Sequence, residues 1–186
     1  MAIATAEPSL EPRLRDILGD RVRADEGAYL DPMQIIQRLK QGGLVVYFRH
    51  AATARSHEDQ HPVDLERCGT QRNLSDLGKK QSTEIGEAFK RLMIPVSEVI
   101  SSPFCRCKET AKIAFGEIKL HTNLYFAVAL NKQQRDAQTK VLRKMITDIP
   151  STGNRVIVSH TSNLREATKL WPKPEGAAFV FEPQGN

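Results

Sequence analysis

The segment Leu44-Val45-Val46-Tyr47-Phe48 constrains the fold of this chain more than any other stretch. Five apolar residues in a row, with a β-branched pair and two aromatics, read as a strand buried on both faces of a sheet. The run passes without a break into Arg49 and His50, a guanidinium and an imidazole that a core does not hold unpaired. In an open α/β sheet the carboxyl end of such a strand faces the crevice where ligands bind. Taken alone, the dipeptide more often marks a solvated basic turn, because short motifs match by accident.

The rest of the chain supplies a sheet around that strand. Asp31 is placed to cap a helix with Pro32 in its first position, Ile35, Ile36 and Leu39 facing inward, and Gly42-Gly43 ending it. Residues 51–72 form a long polar stretch without periodicity, a loop over the pocket or a disordered segment. Ser75 caps a second helix with Leu77, Ile85, Phe89 and Leu92 inward, closed by Pro95. Val96 to Ser101 is a strand ending in Ser101-Ser102-Pro103, from which a helix carrying Arg106 in its first turn runs through Ala114. Glu117 to His121 suits a third strand. Asn131 to Ile149 suits an amphipathic helix with Val141, Leu142, Met145 and Ile149 inward. Arg155 to Ser159 is another buried strand and ends on His160. A short helix over Asn163 to Leu170, a Pro-rich turn and a last strand, Ala177 to Phe181, follow. This alternation predicts an α/β fold: a three-layer α/β/α sandwich on a mostly parallel central sheet. Residues 1–28 are weakly patterned and read as an arm, leaving 29–186 as one domain.

Composition narrows the function classes. A hydrophobic content of 40% with 26% charged residues is that of a globular protein, and no apolar run reaches the length of a membrane span. The first residues, Met1 to Arg13, lack the basic start and apolar stretch of a signal peptide. The expected compartment is therefore cytoplasmic by default, although an exported mature form would look the same. The net charge of +5 suits a small anionic substrate. Lys and Arg are scattered and aromatics amount to 6%, so no nucleic-acid-binding surface is expected. Cys68, Cys105 and Cys107 do not have zinc-site spacing, and His57 and His61 lie four apart where nothing predicts a helix, so no metal is expected. Three free thiols are the expectation for a chain without an export signal, with a Cys68 bond to Cys105 or Cys107 as the alternative.

Three strands thus end in Arg49-His50, in a turn leading to Arg106, and in His160. Crossover connections put those ends on one edge of the sheet, where two arginines and two histidines form a pocket for a phosphoryl group. Guanidinium forks match phosphate oxygens. One imidazole can attack phosphorus if its far nitrogen donates to a fixed carbonyl, and the other can stabilise charge on the equatorial oxygens.

Phe48-Arg49-His50-Ala51, Leu74-Ser75-Asp76-Leu77-Gly78-Lys79-Lys80-Gln81, Ser101 to Ala111 and Val156-Ile157-Val158-Ser159-His160 occur in an order and spacing that resembles the histidine phosphatase superfamily, branch 1. The resemblance covers about residues 44 to 182 and implies a phosphoglycerate mutase-like fold. It implies His50 as the nucleophile that becomes phosphohistidine, Arg49 and Arg106 as the phosphate clamp and His160 as the second pocket histidine, with Ser75 and Gln81 structural. The implied activity is a metal-independent phosphatase with no cofactor. A non-catalytic phosphate-ligand binding module on the same fold is the alternative, followed by a phosphomutase.

Two departures qualify the resemblance. Ala51 stands where the family has glycine, which adds one methyl group. The glutamate that donates a proton in the mutase-like branch has no counterpart in Asn123 to Leu130. Asp136, inside a predicted helix, and Glu58, Asp59 or Asp64 in the long loop are the candidate proton donors. Glu175, in Pro174-Glu175-Gly176, reads as a turn residue.

Overall fold

The computed structural model describes residues 31–184; the expected arm, 1–28, lies outside them. Strand β1, Val45–Arg49, is the buried strand that the sequence predicts, with four of its five residues wholly enclosed. It pairs in parallel with β4, Asn154–Ser159, and antiparallel with β5, Ala178–Phe181. Strand β2, Val96–Ser101, lies parallel to β4 on its other side, and β3, Lys119–Leu120, extends the edge beyond β2. The order β3-β2-β4-β1-β5 is a mixed sheet, parallel except at β5.

Alternation along the strands divides the core into two layers, as the period of two requires. Val46, Phe48, Val99, Val156, Val158 and Val180 pack beneath helices α1 (Pro32–Gln41), α2 (Asp76–Arg91) and α3 (Cys105–Phe115). Val45, Tyr47, Ile100 and Ile157 pack beneath α4 (Lys132–Thr147) and α5 (Thr161–Thr168). The result is the three-layer α/β/α arrangement. Each wholly enclosed Leu, Ile or Phe contributes about 1.5–3 kcal/mol to it.

Local chemistry sets the helix ends. The Asp31 carboxylate accepts from Met33 N at 3.0 Å, while Gln34 Oε1 accepts from Asp31 N at 3.1 Å, so α1 opens with a capping box. Ser75 Oγ accepts from Gly78 N at 3.1 Å and opens α2. Glycine is required at position 78 because a Cβ there would stand 1.9 Å from the Ala52 carbonyl oxygen. Helix α2 is thus pressed against the segment that follows β1.

Several expectations need correction. Leu77 does not face the core; it is 67% exposed in the first turn of α2. Ile149 lies beyond the end of α4 and is also exposed. Helix α3 begins at Cys105 rather than Pro103, and α5 begins directly after His160. The third strand has only two residues, both exposed, as suits a short edge strand.

For the cysteines the alternative expectation holds, and that of three free thiols does not. Cys68 and Cys105 form a disulfide across 37 residues, with Cα atoms 5.7 Å apart, and Cys107 alone is a free, buried thiol. Spacing left open whether Cys68 pairs and with which partner, because the long loop must first fold back onto α3. The bond closes that loop and should stabilise the fold by about 2–4 kcal/mol. Cys68→Ser is therefore expected to unfold at a lower denaturant concentration. Alkylation of the unfolded, unreduced wild-type protein should label one thiol by mass; three labelled thiols would contradict the bond.

Candidate active site

β1, β4 and β2 lie side by side and end at the same edge of the sheet. Arg49 ends β1 and His50 follows it, Ser102 follows β2 and His160 follows β4. The His50 and His160 rings come within 5.6 Å, centroid to centroid. Arg106, in the first turn of α3, enters the same space and is wholly buried. The structure therefore brings together the four residues that the sequence singles out.

His50 is 3% exposed. Its Nδ1 lies 3.0 Å from the carbonyl oxygen of Ala51 and donates to it, which directs the lone pair of Nε2 away from the backbone. Burial and then the Arg106 charge lower its pKa to about 3, partly opposed by the bond to Ala51. The ring is neutral, the form in which nitrogen is nucleophilic. His160 is lowered for the same leading reason, burial, followed by the charge of Arg106. Its Nε2 lies 3.0 Å from Ser102 Oγ, and Phe104 and Phe126 wall the ring at 5.0 Å each. Tyr47 donates to the His160 carbonyl at 2.8 Å, tying the end of β4 to β1. The Cys107 thiol lies 3.7 Å from His160 Nε2, but burial pushes it up to about 12, so it stays protonated and inert.

The arginines are held from outside the pocket. Arg106 Nη1 donates to both Asp59 oxygens, at 2.9 and 3.1 Å, and lies 3.3 Å from the carbonyl of Arg72. Its guanidinium stacks 4.6 Å from the Phe104 ring centre. Arg49 Nη2 lies 3.3 Å from Glu175 Oε1. Arg49 Nε, Arg106 Nε and Arg106 Nη2 are buried donors with no hydrogen-bond partner among the described residues. Native interiors leave few donors in that state, and charged ones are the most costly. Charged donors left in that state suit an anionic ligand.

The long loop is ordered and does more than cover. Asp59 Oδ1 accepts from Arg72 N at 2.9 Å, and Gln71 Oε1 accepts from Cys105 N at 2.9 Å beside the disulfide. The loop thereby carries Arg72 to the pocket, where its charge acts on both histidines. Its place immediately before the Asn73-Leu74-Ser75 helix start was the only sequence signal for it. Glu175 was missed more fully. It does lie at a turn, but its carboxylate enters the site. The turn precedes β5, and β5 runs antiparallel to β1, so the start of β5 meets the end of β1. Arg49 N donates to Ala177 O and Gly176 N to His50 O, both at 2.9 Å. Gln81 completes the seam, accepting from Ala52 N and donating to Glu175 O.

The candidate proton donors separate clearly. Asp136 is exposed on α4, paired with Lys132 at 2.8 Å, and takes no part in the pocket. Asp64 is occupied with Arg67 at 2.7 Å, in the loop. Asp59 has its oxygens on Arg106 and Arg72. Glu58 lines an open cleft of about 950 Å³ together with Arg49, Arg55, Arg72, Leu77, Lys173 and Glu175. Exposed Leu77 is thus a wall of that cleft. Among the described residues no group of three His, Cys, Asp or Glu is placed to hold a metal ion, and no helix is long and apolar enough to cross a membrane.

The family model of the histidine phosphatase superfamily (branch 1) matches residues 45–125, in agreement with the motifs. No curated protein matches the chain at a significant level. Solved structures share the fold at low identity. TTHB049 from Thermus thermophilus is 14% identical, with a TM-score of 0.52 over 77% of this chain and 95% of that one. Rv3214 from Mycobacterium tuberculosis is 17% identical, with a TM-score of 0.50 over 74% and 89%. A mutant phosphoserine phosphatase from Entamoeba histolytica, in complex with phosphoserine, is 14% identical, with a TM-score of 0.50 over 74% and 89%.

Proposed function

We propose that this chain, which matches the histidine phosphatase superfamily (branch 1) over residues 45–125, is a phosphatase that transfers the phosphoryl group of its substrate to His50 and then to water. The observation that carries the reading is the His50 ring, fixed by its Nδ1 bond to Ala51 beside three buried guanidinium donors without partners. Nε2 attacks phosphorus in line with the leaving oxygen. Arg49 and Arg106 bind the equatorial oxygens, and His160, oriented by Ser102, adds a further donor. Water then attacks the phosphohistidine, and inorganic phosphate departs through the cleft. Substrates are small anionic phosphoryl compounds.

Turnover of an aryl phosphate, with an acid-labile and base-stable phosphoryl group trapped on the protein, tests the reading. A protein that binds phosphate without any turnover is instead a binding module.

The carboxylates point to the substrate class. Expelling an alkoxide without protonation is slow, and a positioned acid contributes about 10²- to 10⁴-fold. Asp59 is committed to Arg106, Asp136 lies outside the pocket, Glu58 is exposed on the open cleft, and the Glu175 carboxylate is taken up by Thr53 and Arg49. Hydrolysis should therefore favour leaving groups that depart unaided: aryl and acyl phosphates, phosphoanhydrides and phosphohistidine. We expect kcat/KM to fall steeply as leaving-group pKa rises across an ester series, with the slope little changed in Glu58→Gln or Asp59→Asn. A flat profile made steep by one of these changes would identify a donor and end the acid-free reading.

A further inference from the structure

Glu175 is an unexpected residue to find beside a clamp for an anion. Its carboxylate faces the cleft, 21% exposed, next to Arg49 and 3.9 Å from Arg72 Nη1. The bond lengths show what holds it. Thr53 donates through its backbone N to Oε2 at 3.0 Å and through its hydroxyl to Oε1 at 2.9 Å, whereas Arg49 stands at 3.3 Å. The backbone of Glu175 is fixed separately by Gln81. The carboxylate therefore stays in place when Arg49 turns to another anion. Asp59 differs: it lies behind a wholly buried arginine and its oxygens also fix the loop.

We propose that Glu175 is a positioning residue that competes with the phosphoryl group for Arg49 and Arg72, and so sets how readily inorganic phosphate leaves the site. The proposal rests on the reading of this pocket as a phosphoryl site. A pocket with several guanidinium groups and no nearby carboxylate would retain a phosphate dianion through charge-assisted bonds, and release would then limit turnover. A fixed negative charge at the mouth opposes the dianion and gives Arg49 an alternative partner, which favours exit. Glu175 touches no reacting atom in this scheme and acts through the arginines.

The test compares wild type with Glu175→Gln, which keeps an acceptor oxygen for Thr53 and removes the charge. Titration calorimetry with inorganic phosphate should show binding about tenfold tighter in the variant. With an aryl phosphate, kcat and KM should fall together, leaving kcat/KM within about twofold. Glu175→Asp, which keeps the charge, should restore both toward wild type. Thr53→Ala loosens the carboxylate without removing it and should tighten phosphate to a smaller degree, so the idea remains testable if Glu175→Gln does not fold. A purely structural role predicts the opposite sign, because a disturbed clamp binds phosphate more weakly. Unchanged or weaker phosphate binding in the variants overturns the proposal while leaving the phosphatase reading intact. A wild-type protein that neither binds phosphate nor depends on His50 for hydrolysis overturns both.

Discussion

His50→Ala should reduce hydrolysis of an aryl phosphate by roughly 10⁴-fold or more, the scale seen when a covalent nucleophile is removed. The loss follows from the route. Without a nitrogen at this position no phosphohistidine forms, and water would have to attack a phosphoryl group that the pocket presents to His50. The ring is already neutral in the folded protein, held far below the ordinary histidine value by burial and the Arg106 charge. No proton has to leave it before attack, so protonation of His50 should not set the acid side of the kcat/KM profile near neutrality. Inorganic phosphate should still bind to the variant, because Arg49, Arg106 and His160 remain. Near-wild-type turnover in His50→Ala, with the phosphoryl trap still positive, would remove His50 from the nucleophile's role.

Arg106→Ala is expected to have the second largest effect, about 10²- to 10³-fold in kcat. Arg106 has no exposed surface, carries two of the three buried donors without partners, and is aligned by Asp59 and the Phe104 ring. Donors fixed in a buried site act on transition-state charge without reorganising, so kcat should fall more than KM rises. Stability should fall as well, because Asp59 loses the cation it faces; breaking such a pair typically costs about 3–5 kcal/mol. Arg106→Lys separates the two effects. An ammonium preserves the charge and much of the stability but cannot present the fork, so its kcat should remain depressed. A variant with raised KM and unaltered kcat would show that Arg106 only binds the ground state.

The parts of this fold that were legible in the sequence are those written in local pattern. Val45 to Phe48 and Val156 to Val158 are continuous apolar runs, and both became fully buried central strands. Asp31 and Ser75 each cap the helix they were expected to cap. Arg49, His50, Arg106 and His160 were legible because each sits at a strand end or in the first turn of a helix, where topology forces convergence. What stayed hidden depends on contacts between distant segments. Asp59 and Glu58 are adjacent loop carboxylates, yet one backs a buried arginine and the other stands in solvent. Nothing local distinguishes them. The Cys68–Cys105 bond and the approach of Glu175 to Arg49 likewise exist only once the loop has folded over α3 and β5 has reversed beside β1. Leu77 misled because periodicity reports a helical stripe and not whether a cleft lies opposite its first turn.

The sheet order has a consequence for how the molecule assembles. Among the described residues β1 is the first strand, but its neighbours on either side, β4 and β5, are the last two. Val45 finds its partners at Arg155 and Phe181, far along the polypeptide. Pairings of such long range close slowly, because the loop entropy is lost before the contacts form. During synthesis β2 and β3 can pair early, whereas the strand bearing His50 waits with both edges open until β4 has emerged. A chain made through His160 holds Arg49, His50, Arg106 and His160 but still lacks β5 and Glu175. The strand that leads into His50 is thus made before the other described strands and completed last, and the interval between is when its exposed apolar edge is most open to pairing with another chain.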